Sequence, residues 1–491
     1  MTIFSYYSCC YRIINRETVK NFSCTILIML SLSFSAKGQN QEFASDSTTL
    51  SFEEYIGYVK QYHPIVKQAE LVSQTGEATV LKARGGFDPK LEIDYNTKEF
   101  KGTEYYDLLN STFTVPTWFG AELKANFERN TGDFLNAQNI VPDDGLFAAG
   151  LSLPIAQGLL INERMASLRK AKLFREQTNA EQDILVNAVL FEASIAYFDW
   201  LQSFSKMQVY QDFKKNAEVR FQGIRSSALA GDIPAIDTVE AKITVQNRNL
   251  QLEQARIQLL KSSLQVSNYL WIGSNIPMQL RENVIPVSVE ENQIDSTLRI
   301  DNIFMEDFNI MEHPKVKALS LKVESLNVER RLKRNNLLPI VNLEYNFITA
   351  QPEIARSFNS REYKAGLYFR FPLFLRKERG DLKLVTFKMQ DQNYELLATQ
   401  LELTNKITAI YTQIQSLEEQ KRLISDIVED YAVLLKAEER KFSFGESSVF
   451  LINSRENKLI DARLKRIETW NKYYEAKAKL FNNLAINPKD L

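Results

Sequence analysis

Only two histidines occur in the chain, and each is followed by proline. Imidazole is the side chain best suited to moving a proton or holding a transition metal near neutral pH, so His63 and His313 are the first residues to weigh for chemistry. Neither has a second histidine or an acidic cluster nearby in the sequence to complete a site. Proline favours the first position of a helix and pushes the residue before it out of the α region. His63 and His313 therefore read as helix starts, at or near the cap, rather than as ligands or bases. Adjacent carboxylates could do acid–base work, but Glu53-Glu54 and Glu438-Glu439 lie in charged helical patterns and read as solvated faces. There is no glycine-rich phosphate loop and no Gly-x-Ser-x-Gly elbow. The residues give no reason to expect an enzyme, a cofactor or a metal centre.

The two His-Pro steps instead expose a repeat. His63-Pro64-Ile65-Val66-Lys67 recurs as His313-Pro314-Lys315-Val316-Lys317. At the same offset Leu71 meets Leu321, Arg84 meets Arg334, Pro89 meets Pro339, and Tyr95-Asn96 meets Tyr345-Asn346. Nine of 34 aligned positions are identical, where roughly two would follow from ordinary composition. The chain is two tandem copies of one plan.

Each copy runs helix, strands, then a long helical hairpin. After the His-Pro helix, Leu91, Ile93 and Tyr95 alternate with Glu92, Asp94 and Asn96, and Val341, Leu343, Tyr345 and Phe347 alternate with Asn342, Glu344 and Asn346. Period-two alternation gives a strand one apolar and one polar face. Leu151–Pro154 and Leu367–Pro372 close the two strand regions. Pro89, Pro154, Pro339 and Pro372 mark the four junctions, where one hydrogen-bonding pattern stops and another starts. Copy one carries more between its prolines. Residues 108–116 and 121–129 also alternate, and they are either an extra hairpin or an ordered loop.

Heptads follow. Leu396, Leu403, Ile410, Leu417, Ile424 and Tyr431 are seven apart, and Ile243, Leu250, Ile257, Leu264 and Trp271 keep the same period in copy one. Such runs predict helices packed along their length. The pairs turn at Ala230-Gly231-Asp232 and Phe444-Gly445-Glu446. The outgoing helix from about residue 163 would be roughly 95 Å long at about 1.5 Å per residue.

The start of the chain differs. Arg12, Arg16 and Lys20 precede an apolar stretch from Phe22 to Phe34 and then Ala36-Lys37-Gly38. That is the pattern of a secretion leader cleaved before Gln39, too short for a spanning helix. All three cysteines, Cys9, Cys10 and Cys24, lie inside it, so the mature chain would have no disulfide or thiolate chemistry. Cys24 lacks the leucine and small residues that usually precede a lipidated cysteine. No later segment is apolar enough for a transmembrane helix, so contact with a membrane would be through strands. With 60 basic and 61 acidic residues, the chain offers no basic surface for nucleic acid.

Four to six strands cannot close a membrane barrel alone, since the smallest uses eight and an open edge is not tolerated in lipid. Several chains must share one barrel, with the helical hairpins reaching away from it. In this the sequence resembles the TolC family of outer-membrane factors over nearly the whole mature chain. The matching residues are Thr49–Glu54 leading to His63-Pro64, Leu338-Pro339 before a strand, Leu153-Pro154-Ile155 and Phe371–Phe374 before the long helices, and the glycine tips. The family usually has Asn where His63 and His313 stand. The resemblance implies a mostly α fold with a membrane β-barrel part: two tandem repeats, each a long coiled-coil hairpin plus strands, in a homotrimeric tube. It sets the leader at 1–38, the first repeat at 39–272, an equatorial linker at 273–310 and the second repeat at 311–491. It implies a passive exit duct in the outer membrane with a periplasmic helical extension, meeting outer-membrane lipid, a periplasmic adaptor and an inner-membrane transporter. The exported substrate, whether drug, metal ion or protein, is not written in the residues. A periplasmic coiled-coil adaptor or scaffold is the alternative, though it would carry one hairpin between glycine-rich β domains.

The tips, Gly231-Asp232 and Gly445-Glu446, are where the resemblance places adaptor docking. It also implies a gate. In TolC, acidic residues six and nine positions beyond the second tip glycine narrow the periplasmic mouth. Here those positions hold Leu451 and Ser454, whereas copy one places Asp237 and Glu240 at the matching distance from Gly231. Lying three apart on a helix, they share a face.

Overall fold

The fold begins at a cap. Ser51 accepts a hydrogen bond from the Glu54 amide while the Glu54 carboxylate takes one from the Ser51 amide, a reciprocal pair that starts helix α1 (Phe52–Tyr62). His63 ends α1 and caps α2 (Pro64–Arg84), with Pro64 at the first helical position. The computed structural model describes residues 48–300, 308–350 and 359–486. The expected leader lies outside the described residues, as does part of the expected linker.

Six strands then form one sheet: β1 (Lys90–Phe100), β2 (Thr103–Pro116), β3 (Glu122–Thr131), β4 (Leu146–Pro154), β5 (Ile340–Thr349) and β6 (Tyr363–Arg370). They lie side by side in chain order, every neighbouring pair antiparallel. The alternating residues 108–116 and 121–129 are therefore strands of this sheet and not a loop. Its first edge is β1 and its last is β6, both unpaired among the described residues.

Helix α3 (Glu163–Ala230) and helix α7 (Arg376–Ser443) each run 68 residues, roughly 100 Å at about 1.5 Å per residue. Asn162 starts α3 by accepting the Met165 amide at 2.8 Å. The return helices are α4 (Ala235–Ser267) and α8 (Val449–Leu484). Both α2 and α6 (Pro314–Asn335) pack along the sheet-proximal part of α3, and α6 also touches α7. Short helix α5 (Glu291–Leu298) and the parallel pairing of Thr49-Leu50 with Ile285-Pro286 belt the middle of the bundle.

The main core sits at that belt. Phe52, Tyr55, Tyr197, Phe198, Trp200, Ile294, Leu298, Tyr474 and Phe481 are buried together. Tyr197 donates to the Leu50 carbonyl at 2.9 Å, tying α3 to the belt. The expectation that no segment beyond the leader is apolar enough for a transmembrane helix needs correcting here. By length and composition α3 is apolar enough to cross a membrane, but 56% of its apolar window is buried inside the protein, where aromatic residues meet the core.

Candidate functional site

The register of the sheet sorts its residues into two chemistries. Partners pair odd with odd in all five ladders up to a bulge at the far end of β1, where Glu99 meets Glu104: Leu91 with Phe113, Phe113 with Ala125, Ala125 with Ala149, Ala149 with Phe347, and Phe347 with Tyr363. The odd face thus carries Ile93, Leu123, Leu151, Leu343, Leu367 and Phe369, all exposed on the single chain and Leu367 by 67%. Its charged members, Glu99, Asp107 and Arg129, lie toward the end of the sheet remote from the helices. The even face carries Glu92, Asp94, Asn96, Asn126, Asn346 and Lys364. There Lys124 pairs with Glu344 at 3.3 Å and Lys364 with Glu128 at 3.5 Å. The Asn126 and Asn346 amides donate to those carboxylates at 3.0 and 3.2 Å. A cavity of about 340 Å³ opens among them. Charges that neutralise one another in a wet groove suit a lumen, and a continuous apolar face suits lipid.

The helices show a second sorting. In α7 the buried seam is Ile407, Ile414, Lys421, Val428 and Leu435, seven apart. The series Leu396, Ile410 and Ile424 is only half-buried beside it, though Leu403 and Leu417 are buried. Lys421 stands where the seam calls for an apolar side chain. Its ammonium pairs with Glu291 and lies 3.7 Å from the Tyr473 ring centroid and 4.2 Å from that of Trp470. Burial alone would push the Glu291 carboxyl up, but the Lys421 contact outweighs it and holds the group below the ordinary carboxylate range. Lys477 pairs with Asp295 at 2.7 Å, so two lysines clamp α5 to the hairpin.

In α4 the buried heptad is Ala241, Arg248, Ala255 and Ser262. The series read from the sequence, Ile243, Leu250, Ile257 and Leu264, faces outward instead, Leu250 by 60%. Arg248 fits between two alanines and reaches the fully buried Glu456 at 3.2 Å, which Arg220 also meets at 2.5 Å. This charged triad joins α3, α4 and α8. Sequence reading missed it, although an arginine seven residues from alanine on either side was the available sign.

At the tips the chain reverses as glycine permits. Gly231 has φ of 85° and Gly445 of 78°, a left-handed conformation that costs other residues about 1–2 kcal/mol. The Asp232 amide donates to the Ser227 carbonyl and the Glu446 amide to the Lys441 carbonyl, each at 3.0 Å. Ser447 donates to Glu438 at 2.6 Å. Asp237 and Glu240 are both half-buried near the start of α4. Glu240 accepts from the Asn453 amide at 3.1 Å, across to α8. Among the described residues no ion pair joins either carboxylate to Arg225.

Both histidines are caps. The Nδ1 of His63 accepts from the Ile65 amide at 3.3 Å, and that of His313 from the Lys315 amide at 3.1 Å. The His313 Nε2 lies 3.2 Å from the Asn483 carbonyl, so the neutral tautomer with its proton on Nε2 serves both contacts. Among the described residues no group of three or more His, Cys, Asp or Glu is placed to hold a metal ion.

A sheet with one lipid-compatible face and two open edges, joined to paired helical rods about 100 Å long, is the architecture of outer-membrane channels. Residues 310–485 match the family model described as outer membrane efflux protein. Solved structures agree over 88% of this chain. The Campylobacter jejuni CmeC outer membrane channel matches over 85% of its own length at 11% identity and a TM-score of 0.61. Neisseria gonorrhoeae MtrE in its open state matches over 88% of its length at 12% identity and 0.62. VceC of Vibrio cholerae matches over 96% of its length at 12% identity and 0.62. No curated protein sequence matches significantly. The second repeat thus matches the outer membrane efflux protein model, and over 88% of its length the chain has the fold of solved outer-membrane channels, as its resemblance to the TolC family implied.

Proposed function

We propose that this protein is a passive exit duct of the outer membrane, assembled as a homotrimer and serving a tripartite efflux or type I secretion system. The observation that carries the reading is the odd–even sorting shared by six strands over the half of the sheet nearer the helices. An apolar face that wide on a chain with coiled-coil rods is costly in water and at home in lipid. The outward heptad of α4 supports the homotrimer. Copy one ends in the β1 edge and the α4 stripe, copy two in the β6 edge and α7, where Phe387, Tyr394 and Leu401 are exposed seven residues apart. Such unlike flanks fit one another head to tail, which closes a ring. Burying each of these side chains is worth about 1.5–3 kcal/mol. On this reading the even face lines the lumen, the tips of both hairpins point into the periplasm to meet an adaptor, and an inner-membrane transporter supplies the energy. A soluble adaptor or scaffold would have no use for the apolar face. Mass measurement or cross-linking in mild detergent is expected to give three chains. A stable monomer in water without detergent would overturn the reading.

A further inference from the structure

We infer that the shared barrel has eighteen strands, that β1 of one copy pairs with β6 of the next, and that hairpin β2–β3 is a spacer widening the lumen. The inference rests on the homotrimeric reading above.

The two repeats supply the internal comparison. In copy two the strand after Pro339 pairs directly with the strand before Pro372, as β5 with β6. In copy one the corresponding strands, after Pro89 and ending at Pro154, are β1 and β4, and β2–β3 lies between them. The added hairpin is built into the fold. Its lower turn is docked on the helical end, with Trp118 stacked on Phe87 at 5.7 Å and the Arg169 guanidinium 5.6 Å from the indole. The Asn162 amide donates to the Trp118 carbonyl at 3.0 Å, and Arg164 pairs with Glu122. Near the helical end its register continues the apolar odd face, with Phe113, Val115, Leu123 and Ala125 between Leu91 and Leu151. A surface loop would need none of this.

The edges are compatible. Strand β1 leaves the helical end and β6 returns to it, so neighbouring copies meet antiparallel. Odd residues must pair with odd if the apolar face is to stay continuous. Counting from the helical ends puts Leu91 level with Phe369, Ile93 with Leu367 and Tyr95 with Ala365. Strands about 4.8 Å apart and tilted about 40° give an eighteen-stranded barrel a backbone diameter of roughly 36 Å, against roughly 24 Å without the hairpin. With side chains roughly 5 Å deep the lumen is roughly 25 Å, more than twice the width of a polypeptide helix.

The mature chain would contain no native cysteine, so paired substitutions read cleanly. Leu91, Ile93 or Tyr95 changed to Cys is combined with Ala365, Leu367 or Phe369 changed to Cys, and outer membranes are oxidised. Ile93→Cys with Leu367→Cys, or a pair one register step away, is expected to give covalent dimers and trimers that single substitutions do not. Trimers by mass with no cross-link in any of the nine pairs would overturn this closure while leaving the homotrimer standing; a monomer or dimer by mass would remove the reading beneath it. A second variant lacking residues 103–131 leaves β1 to pair with β4. In planar bilayers, polyethylene glycols added on the barrel side enter the wild-type lumen, and the largest polymer admitted is expected to shrink roughly twofold in diameter in the variant. An unchanged cut-off in an assembled variant would overturn the spacer role.

Discussion

His63 and His313 show how a residue suited to chemistry is put to structural use. Each donates nothing to its helix start; it accepts an amide through a neutral imidazole nitrogen. Burial pushes both groups below the ordinary histidine range, although backbone hydrogen bonds to Asn268 and Asn483 pull the other way. A base with a depressed folded pKa binds fewer protons folded than unfolded. Its contribution is full above about pH 6.5 and is lost as pH falls through the folded value. His63→Asn and His313→Asn should keep the caps and flatten that pH dependence, whereas alanine should cost about 1 kcal/mol at each site. Thermal dissociation of the assembled protein at pH 7.5 and 5.5 measures both effects; equal behaviour of the Asn and Ala variants would remove the capping role. Asp237 and Glu240 are proposed as the gate on spacing alone, and the Glu240 bond to Asn453 offers a packing role in competition. Three copies around an axis would make a ring of carboxylates that concentrates cations. Asp237→Asn with Glu240→Gln should weaken block by multivalent cations in planar bilayers. Unchanged block would assign both side chains to the contact between α4 and α8.

At the level of elements, what the sequence told clearly was what depends on short-range periodicity. The alternation at 91–96 and 341–347, the junction prolines and the glycine tips each reflect local backbone chemistry, and they stand where they were read. Which heptad faces inward was not legible in α4. Ile243 and Leu250 look like core, yet Ala241 and Arg248 fill it, because two closely packed helices leave room for small side chains and for an arginine that finds Glu456. The larger stripe, Ile243 to Leu264, is left exposed on the outside of the pair. Lys421 was hidden for the same reason: its partners, Glu291, Trp470 and Tyr473, come from distant segments. The candidate adaptor site was legible only as two turns. Gly231 and Gly445 satisfy a backbone requirement whether or not anything docks there. Bulky substitutions at Ser227 and at Ser447, beside the turns, should therefore abolish export while assembly persists. Export that survives them would place docking elsewhere on the rods.

For the molecule as a whole, the outgoing helices α3 and α7 have the same length and the two strand regions do not. This inequality bears on how such a chain can change over generations. A duplicated gene starts with two equal halves. Rods that must end level at a common mouth resist drift in length, since a lengthened copy would overshoot its neighbours. The sheet is freer, but only in whole steps. One strand gained or lost would reverse the sense of an edge and leave β1 and β6 running parallel, so size must change by two strands at a time. In the proposed homotrimer each such change is multiplied by every copy. In that homotrimer, a single inherited event of some thirty codons, the span of residues 103–131, would thus alter the bore of the whole assembly while leaving the distant tips at Gly231 and Gly445 as they were.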